Sequence, residues 1–353
     1  MNDFPNSTAE RIRSAQSRNS PLAIHGGNSK AFYGGAIVGD ALDMRANTGI
    51  IDYEPKELVL TVRTGTPLAE IEVALEKENQ MLPFEPPHFS GIATIGGTVA
   101  TGLSGSRRPY TGAVRDFVLG TRIINGKGED LRFGGRVIKN VAGYDVSRLM
   151  TGAMGTLGVL LDVSFKVLPT ATAELTLRQT MDEATAIQRF NEWSGKPLPL
   201  SATAWHEGVA MIRLSGAAAG VNAAREKLGG DIVAEHEASA YWRDLRDHRA
   251  KFFAGDMPLW RLSVPATCQP LQMKLPQWIE WGGALRWVCG LTDAKALRAA
   301  MDTVGGHATL FRYGKKSLGV FHPLQPVLAR IHRNLKNEFD PANILNRGRM
   351  DNF

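Results

Sequence analysis

Glycine falls in tight clusters along the first part of this chain: Gly26-Gly27, Gly34-Gly35, Gly96-Gly97, Gly102, Gly105, Gly134-Gly135, Gly152, Gly155 and Gly158. A glycine pair beside a strand lets the backbone turn sharply. Without Cβ atoms, consecutive amides there can point one way and enclose an anion. Tryptophan is distributed in the opposite sense, with all seven (Trp193, Trp205, Trp242, Trp260, Trp278, Trp281, Trp287) between 193 and 287. This change of character predicts two domains with a boundary near Pro169. The first is residues 1–170 completed by a C-terminal segment, 320–353; the second is residues 171–319.

The chain is long enough, at 353 residues, to bury a core without disulfides or metals. Two cysteines, Cys268 and Cys289, exclude a disulfide framework, a four-cysteine zinc site and a protein-held iron–sulfur cluster. The net charge of +6 is spread too thinly for a nucleic-acid footprint. Its one local cluster (Arg330, Arg333, Lys336, Arg347, Arg349) reads as a solvated helix face. No stretch approaches the ~20 apolar residues of a membrane span, and the N-terminus has neither the basic nor the apolar region of a secretion signal. These features predict a cytoplasmic protein.

Apolar periodicity predicts a helix over 8–16, strands over 22–24, 49–53 and 58–63, and a helix opened by Thr66-Pro67 with Leu68, Ile71 and Leu75 as its stripe. Asn125-Gly126 marks a hairpin between strands over 118–124 and 131–133, and a long strand follows over 157–168. The second part reads β-α-β-β-α-β: strands over 173–179, 202–206, 209–214 and 231–235, with helices over 182–193 and 221–228. A second round follows, with strands over 259–264, 285–288 and 307–312 and helices near 271–281 and over 293–304. In the tail, Leu324, Val327, Leu328, Ile331 and Leu335 give a helical stripe ended by Asp340-Pro341. The fold class is α+β, the second part being an antiparallel sheet backed by helices.

Several chemistries lack their motifs. There is no G-x-G-x-x-G after a strand, no G-x-x-x-x-G-K-[ST], no H-E-x-x-H and no G-x-S-x-G, and the eight histidines show no metal spacing. Present instead are three glycine loops beside strands: residues 21–30, 93–102 and 152–158. In order they carry I-x-G-G-x-S, A-T-I-G-G-T-V-A-T and G-T-L-G-V, with R-D-F-V-L-G and K-N-V-A-G-Y-D between the last two.

This order closely resembles the FAD-binding domain of the vanillyl-alcohol oxidase / p-cresol methylhydroxylase (PCMH-type) family. The tail, residues 339–349, looks like that family's D-P-x-x-I-L-N-P-G-[KR] ending. Within the family, the chain is most similar to the small FAD-binding subunits of bacterial glycolate oxidases. The resemblance implies two α+β subdomains holding FAD, plus a small cap of antiparallel sheet and helices. It gives Gly26, Gly27, Asn28, Ser29 and Lys30 to the pyrophosphate. Pro87, His88 and the segment Thr94, Ile95, Gly96, Gly97, Thr98, Thr101 are given to the flavin ring, ribityl chain and pyrophosphate, continued by Gly102, Ser104, Gly105 and Arg107. Arg115, Asp116 and Val118 go to the adenosine half, Gly155, Gly158 and Val159 to the return strand at adenine and ribose, and Asn346 to the ring's neighbourhood.

Members with covalent flavin carry histidine where Asn28 stands, so noncovalent FAD is implied, and His25 reads as a structural turn residue. The tail has Arg347 in place of the usual proline. The long relatives' H-x-G-D-G-N segment, tied to metal and substrate carboxylate binding, is absent; no metal is expected. The resemblance implies oxidation of glycolate and related 2-hydroxy acids. Such a reaction needs a base, for which Tyr144, His307 and His322 are candidates, and a cation for the carboxylate, Arg312 or Arg347. The partners implied are a larger FAD-linked subunit and an iron–sulfur subunit, with any membrane contact made through the complex. A second reading is a flavin-carrying electron-transfer or assembly subunit without turnover. A third, a UDP-N-acetylenolpyruvoylglucosamine reductase-like enzyme, is opposed by the G-T-L-G-V strand and the tail.

Overall fold

The computed structural model describes residues 3–135 and 144–350. Lys139 and most of the K-N-V-A-G-Y-D run therefore lie outside the described residues. Short strands and helices are interspersed along the chain, and two sheets dominate. The first has five antiparallel strands in the order Ile50–Glu54, Val59–Arg63, Val159–Lys166, Val118–Ile124, Asp130–Gly134. The long strand Val159–Lys166 lies at its centre because it is apolar on both faces, and Val159, Val163 and Phe165 are wholly buried. Helix Leu68–Glu76 packs Leu68, Ile71 and Leu75 into the same core. The predicted Asn125-Gly126 hairpin is present.

A separate parallel pair joins Leu22–His25 to Asp40–Asp43, and Leu22 also bridges Leu345 from the tail. The tail is anchored from within. Asp340, fully buried, accepts from the amides of Ile344 (3.1 Å) and Leu345 (2.8 Å), and Lys336 Nζ donates to its carboxylate at 2.7 Å and to Thr156 O at 2.7 Å. The solvated reading of the tail's cations thus fails for Lys336, and also for Arg349, which donates to the carbonyls of Lys30, Ala31 and Gly35. Asp340 lies one helical turn after Lys336, but the carbonyls of Thr156 and of residues 30–35 that these cations also reach are remote in sequence, and no local pattern shows them.

The second sheet has eight strands, in the order Asp231–Ile232, Ala173–Thr180, Val209–Gly216, Leu200–His206, Gln277–Glu280, Leu285–Cys289, Leu259–Ser263, His307–Arg312. The two rounds predicted from the sequence thus merge into one antiparallel layer through Ala204↔Glu280 and Trp205↔Ile279. Residues 271–281 do not form the predicted helix. Pro276 lacks a backbone donor and ends the 3.6-residue pattern, and Gln277–Glu280 is a strand followed by a single 3₁₀ turn, Trp281–Gly283. Trp278 and Trp281 consequently do not share a helix face. The strand over 231–235 is shortened to two residues, and Glu235–Arg246 is a helix that the pattern missed.

The sheets meet through charge. Glu85 accepts from Arg213 at 2.6 Å and Arg107 at 3.1 Å, while Arg107 also reaches Glu174 at 2.9 Å. Burial opposes the Glu85 charge, yet the Arg213 and Arg107 guanidiniums prevail and hold its carboxyl below the usual range. Asp247, from the second sheet's side, accepts from the His88 amide at 2.9 Å.

Candidate functional site

Between the parallel pair and the helix Ile95–Thr101 runs a cleft with about 860 Å³ of empty space, part of it open to solvent. One wall is the turn after strand Leu22–His25. Asn28 has a left-handed backbone there (φ 56°), which swings neighbouring amides toward a common side. The N–H groups of Gly27, Asn28, Ser29 and Lys30 donate to no described residue. Unpaired backbone donors at such a turn are an anion cradle.

Glycine at 27 is fixed by a crossing of chains. A Cβ there would come within 1.5 Å of Ile92 O, so the loop before Thr94 can lie directly on the turn only over a residue without a side chain. Gly97 is different. A Cβ there meets only Thr94 Oγ1, at 3.4 Å, and the residue lines the cleft. Thr94 caps its helix by accepting from the Gly97 amide, and Gly96 N donates to Thr64 O at 2.8 Å, so this loop's amides serve the fold while its missing side chains leave room.

The electrostatics suit an anion. No Asp or Glu is among the described residues lining the cleft, whereas Lys30 and Arg349 both line it. Burial pushes the Lys30 ammonium down to about 8 against the pull of Asp247, and burial lowers Arg349 to about 10. Both are desolvated cations that a nearby phosphate would stabilise. The rest of the lining is small or apolar, including Ile24, Ile37, Met44, Ala100, Met154 and Leu160. A dinucleotide such as FAD fits this donor set, with amides and cations for its diphosphate and side-chain-free, apolar walls for its rings.

Of the residues expected at a cofactor, Gly26, Gly27, Asn28, Ser29, Lys30, Thr94, Gly96, Gly97, Thr101, Gly155, Gly158 and Asn346 line this cleft. Asn346 does so as a clamp: its Oδ1 accepts from Ile24 N and its Nδ2 donates to Met154 O, both at 2.7 Å. Pro87, Ser104 and Gly105 line a second, smaller pocket. The others stand outside both. Ile95 and Thr98 are buried beneath the cleft, with the Thr98 hydroxyl unpartnered, and Gly102 ends the helix in a left-handed turn. His88 pairs with Glu72 at 3.0 Å, and Arg107 with Glu85. Asp116 caps the Ala113 amide, Arg115 is exposed, and Val118 and Val159 are core.

The candidates for chemistry are not brought together. Tyr144 is 94% exposed. His322 pairs with Asp302 at 2.9 Å, and His307 lies 6.4 Å from His322. Arg347 donates to Asn343 O. Arg312 alone lies near aromatic walls, over Phe32 at 4.2 Å and Phe89 at 5.3 Å. Sequence reasoning missed Thr64, Met154 and Arg349 as cleft residues. The tail's final [KR] position was the one signal that pointed to Arg349.

Residues 5–134 match the FAD binding domain family. The chain is 47% identical to the glycolate oxidase subunit GlcE of Escherichia coli (strain K12), over 99% of this chain and 97% of that protein. It is 33% identical to the glycolate oxidase subunit GlcD of Bacillus subtilis (strain 168), over 36% of this chain and 27% of that one. Among solved structures, p-cresol methylhydroxylase with substrate bound superposes over 98% of this chain and 87% of its own, with a TM-score of 0.73 at 16% identity. That likeness shows the PCMH-type fold.

Proposed function

The chain belongs to the family of the glycolate oxidase subunit GlcE, and from that premise we propose that it is the FAD-holding subunit of a heteromeric complex that oxidises glycolate and related 2-hydroxy acids to 2-oxo acids. The observation that carries this reading is the cleft: among the described residues it has four amides without protein acceptors, two desolvated cations and no carboxylate. Gly27 to Lys30 would hold the diphosphate, Gly96, Gly97 and Thr101 would leave space for the flavin and ribityl portion, and Gly155 and Gly158 would border the adenosine side. Bound there without a covalent link, FAD supplies a two-electron acceptor. Residues 171–319 would act as the cap.

The partners of this reading are a larger subunit of the GlcD kind and an iron–sulfur subunit. Two cysteines cannot hold a cluster, so electrons must leave this chain for another. Among the described residues no helix is long and apolar enough to cross a membrane; a cytoplasmic complex, reaching any membrane surface through its partners, accords with that.

The alternative, a flavin carrier without turnover of its own, is favoured by the missing H-x-G-D-G-N segment and by the scatter of Tyr144, His307 and His322. Anaerobic addition of glycolate to the purified yellow protein decides between them. Bleaching near about 450 nm by the chain alone supports turnover here; bleaching only when the larger subunit is added supports the carrier. A colourless folded chain that takes up no FAD overturns both.

A further inference from the structure

A second pocket, with about 340 Å³ of empty space, part of it open to solvent, lies where the two sheets face each other. Pro87, Phe89, Leu103, Ser104 and Gly105 line it from the first part, and Leu245, Arg246, His248, Arg261, Glu280, Leu285, Trp287 and Phe311 from the second. It adjoins the cofactor cleft: Lys30, which lines the cleft, has its Nζ 5.7 Å from the Phe89 ring.

Most polar groups around this pocket are accounted for. Glu280 accepts from Trp287 Nε1 at 2.9 Å and from the Ser106 hydroxyl, and Arg246 is paired with Asp247 at 2.9 Å. Two groups are not. The Arg261 side chain makes no hydrogen bond with any described residue; its guanidinium lies 5.1 Å over the Trp281 ring, and burial holds it below its ordinary value against the pull of Tyr33 and Glu280. His248 Nδ1 is buried without a partner. Its ring is stacked on Phe253 at 4.0 Å and edge-on to Trp287 at 4.6 Å, which fixes its plane. Burial, with Arg312 and Arg261 nearby, keeps this imidazole neutral, so it can both donate and accept.

The backbone around the pocket is strained as well. His248 (φ 54°), Phe89 (φ 56°), Trp281 (φ 56°) and Glu85 (φ 45°) all adopt left-handed conformations without being glycine. Such strain is retained where surrounding structure over-determines a residue's position, and it clusters at ligand sites. A guanidinium without a hydrogen-bond acceptor leaves its fork of donors unmet, and a planar anion that accepts two parallel hydrogen bonds satisfies it.

We propose that this pocket binds a small 2-hydroxy carboxylate, the Arg261 guanidinium taking the carboxylate and the His248 imidazole the hydroxyl. The apolar walls of Phe89, Trp287 and Phe311 limit the ligand to a few carbon atoms. The assignment rests on the reading of the chain as a glycolate oxidase subunit. It draws the carboxylate anchor from the cap's own residues. Both residues are binding residues here.

Titration calorimetry on the full-length, FAD-loaded chain tests it with four probes: glycolate, acetate, oxalate and neutral glycolamide. Saturable binding of glycolate and oxalate, with glycolamide binding at least about tenfold more weakly, is expected. Arg261→Gln should weaken every carboxylate by about tenfold or more, with Arg261→Lys recovering part. His248→Gln should erase the preference for glycolate over acetate and leave acetate affinity unchanged. Equal binding of glycolate and glycolamide by the unmodified protein, or unchanged glycolate affinity in a folded Arg261→Gln variant, overturns the assignment. The probe series on the unmodified chain decides the matter even if a variant fails to fold. Flavin content, read from the same samples, separates failure of this pocket from failure of the flavin reading.

Discussion

The two facing pockets recognise ligands by opposite means. In the first part of the chain the cleft is built from backbone: amides at 27–30 without acceptors, and glycines whose absent side chains make space. In the second, the pocket is built from side chains, Arg261 and His248, placed on a strand and after a helix of the cap. Backbone recognition suits a large ligand with a diphosphate, because many amides share the load and any one side chain matters little. Side-chain recognition suits a small ligand, where one guanidinium supplies most of the affinity. A scaffold can thus keep its cofactor end constant while the cap decides what meets it.

The contrast can be broken at the glycines. Gly27→Ala places a methyl group against Ile92 O, a backbone atom that cannot give way, so the loop crossing itself must open. A loss of about 3 kcal/mol or more in urea unfolding of the FAD-free chain is expected. Gly97→Val has room at its Cβ and projects into the cleft. It should unfold close to the unmodified chain yet bind FAD at least about 100-fold more weakly by fluorescence titration. If both variants lose only stability, or both lose only FAD, the distinction between a structural and a cofactor-facing glycine is wrong.

A smaller effect sharpens the electrostatic side. Lys30 titrates near 8 in the folded chain and near 10.5 when unfolded. Above pH 8 the unfolded state therefore holds a proton that the folded state has released, and the FAD-free protein should gain stability as pH rises through that window. A phosphate beside Lys30 raises its pKa again, so FAD binding takes up a proton and its affinity should fall by up to about tenfold per pH unit above 8. Lys30→Met should bind FAD less tightly at neutral pH and flatten this slope. Asp247 stays ionised throughout, and Arg349, lowered to about 10, releases its proton only toward the top of the window, so the slope just above pH 8 is the one to compare: unchanged there in Lys30→Met, it places the proton elsewhere.

How much of this was legible follows the same division. The glycine loops, the strands around them and the Asp340-Pro341 tail could be read because glycine and proline report backbone conformation locally. The cap pocket could not. Arg261 and His248 meet only because Leu259–Ser263 pairs with both Leu285–Cys289 and His307–Arg312, a long-range register that no local pattern encodes. Leu275, Trp278 and Trp281 imitated a helix stripe across Pro276, and a proline should have outweighed the spacing. Lys336 and Arg349 looked solvated because most of their partners are main-chain carbonyls, although the carboxylate of Asp340, one helical turn after Lys336, was within reach of a sequence reading. His307 and His322 drew notice as histidines, whereas His248 lies among Asp244, Arg246, Asp247 and Arg249, neighbours that give no local sign of a buried imidazole.

Amide hydrogen exchange at Gly27, Asn28, Ser29 and Lys30, measured with and without FAD, tests most directly whether this turn's main chain grips the cofactor's phosphates. These four should exchange rapidly in the FAD-free chain and become strongly protected on binding, while the amides of Gly96 and Thr98, already bonded within the protein, change little. Stoichiometric FAD bound with exchange at 27–30 unaltered would contradict the account.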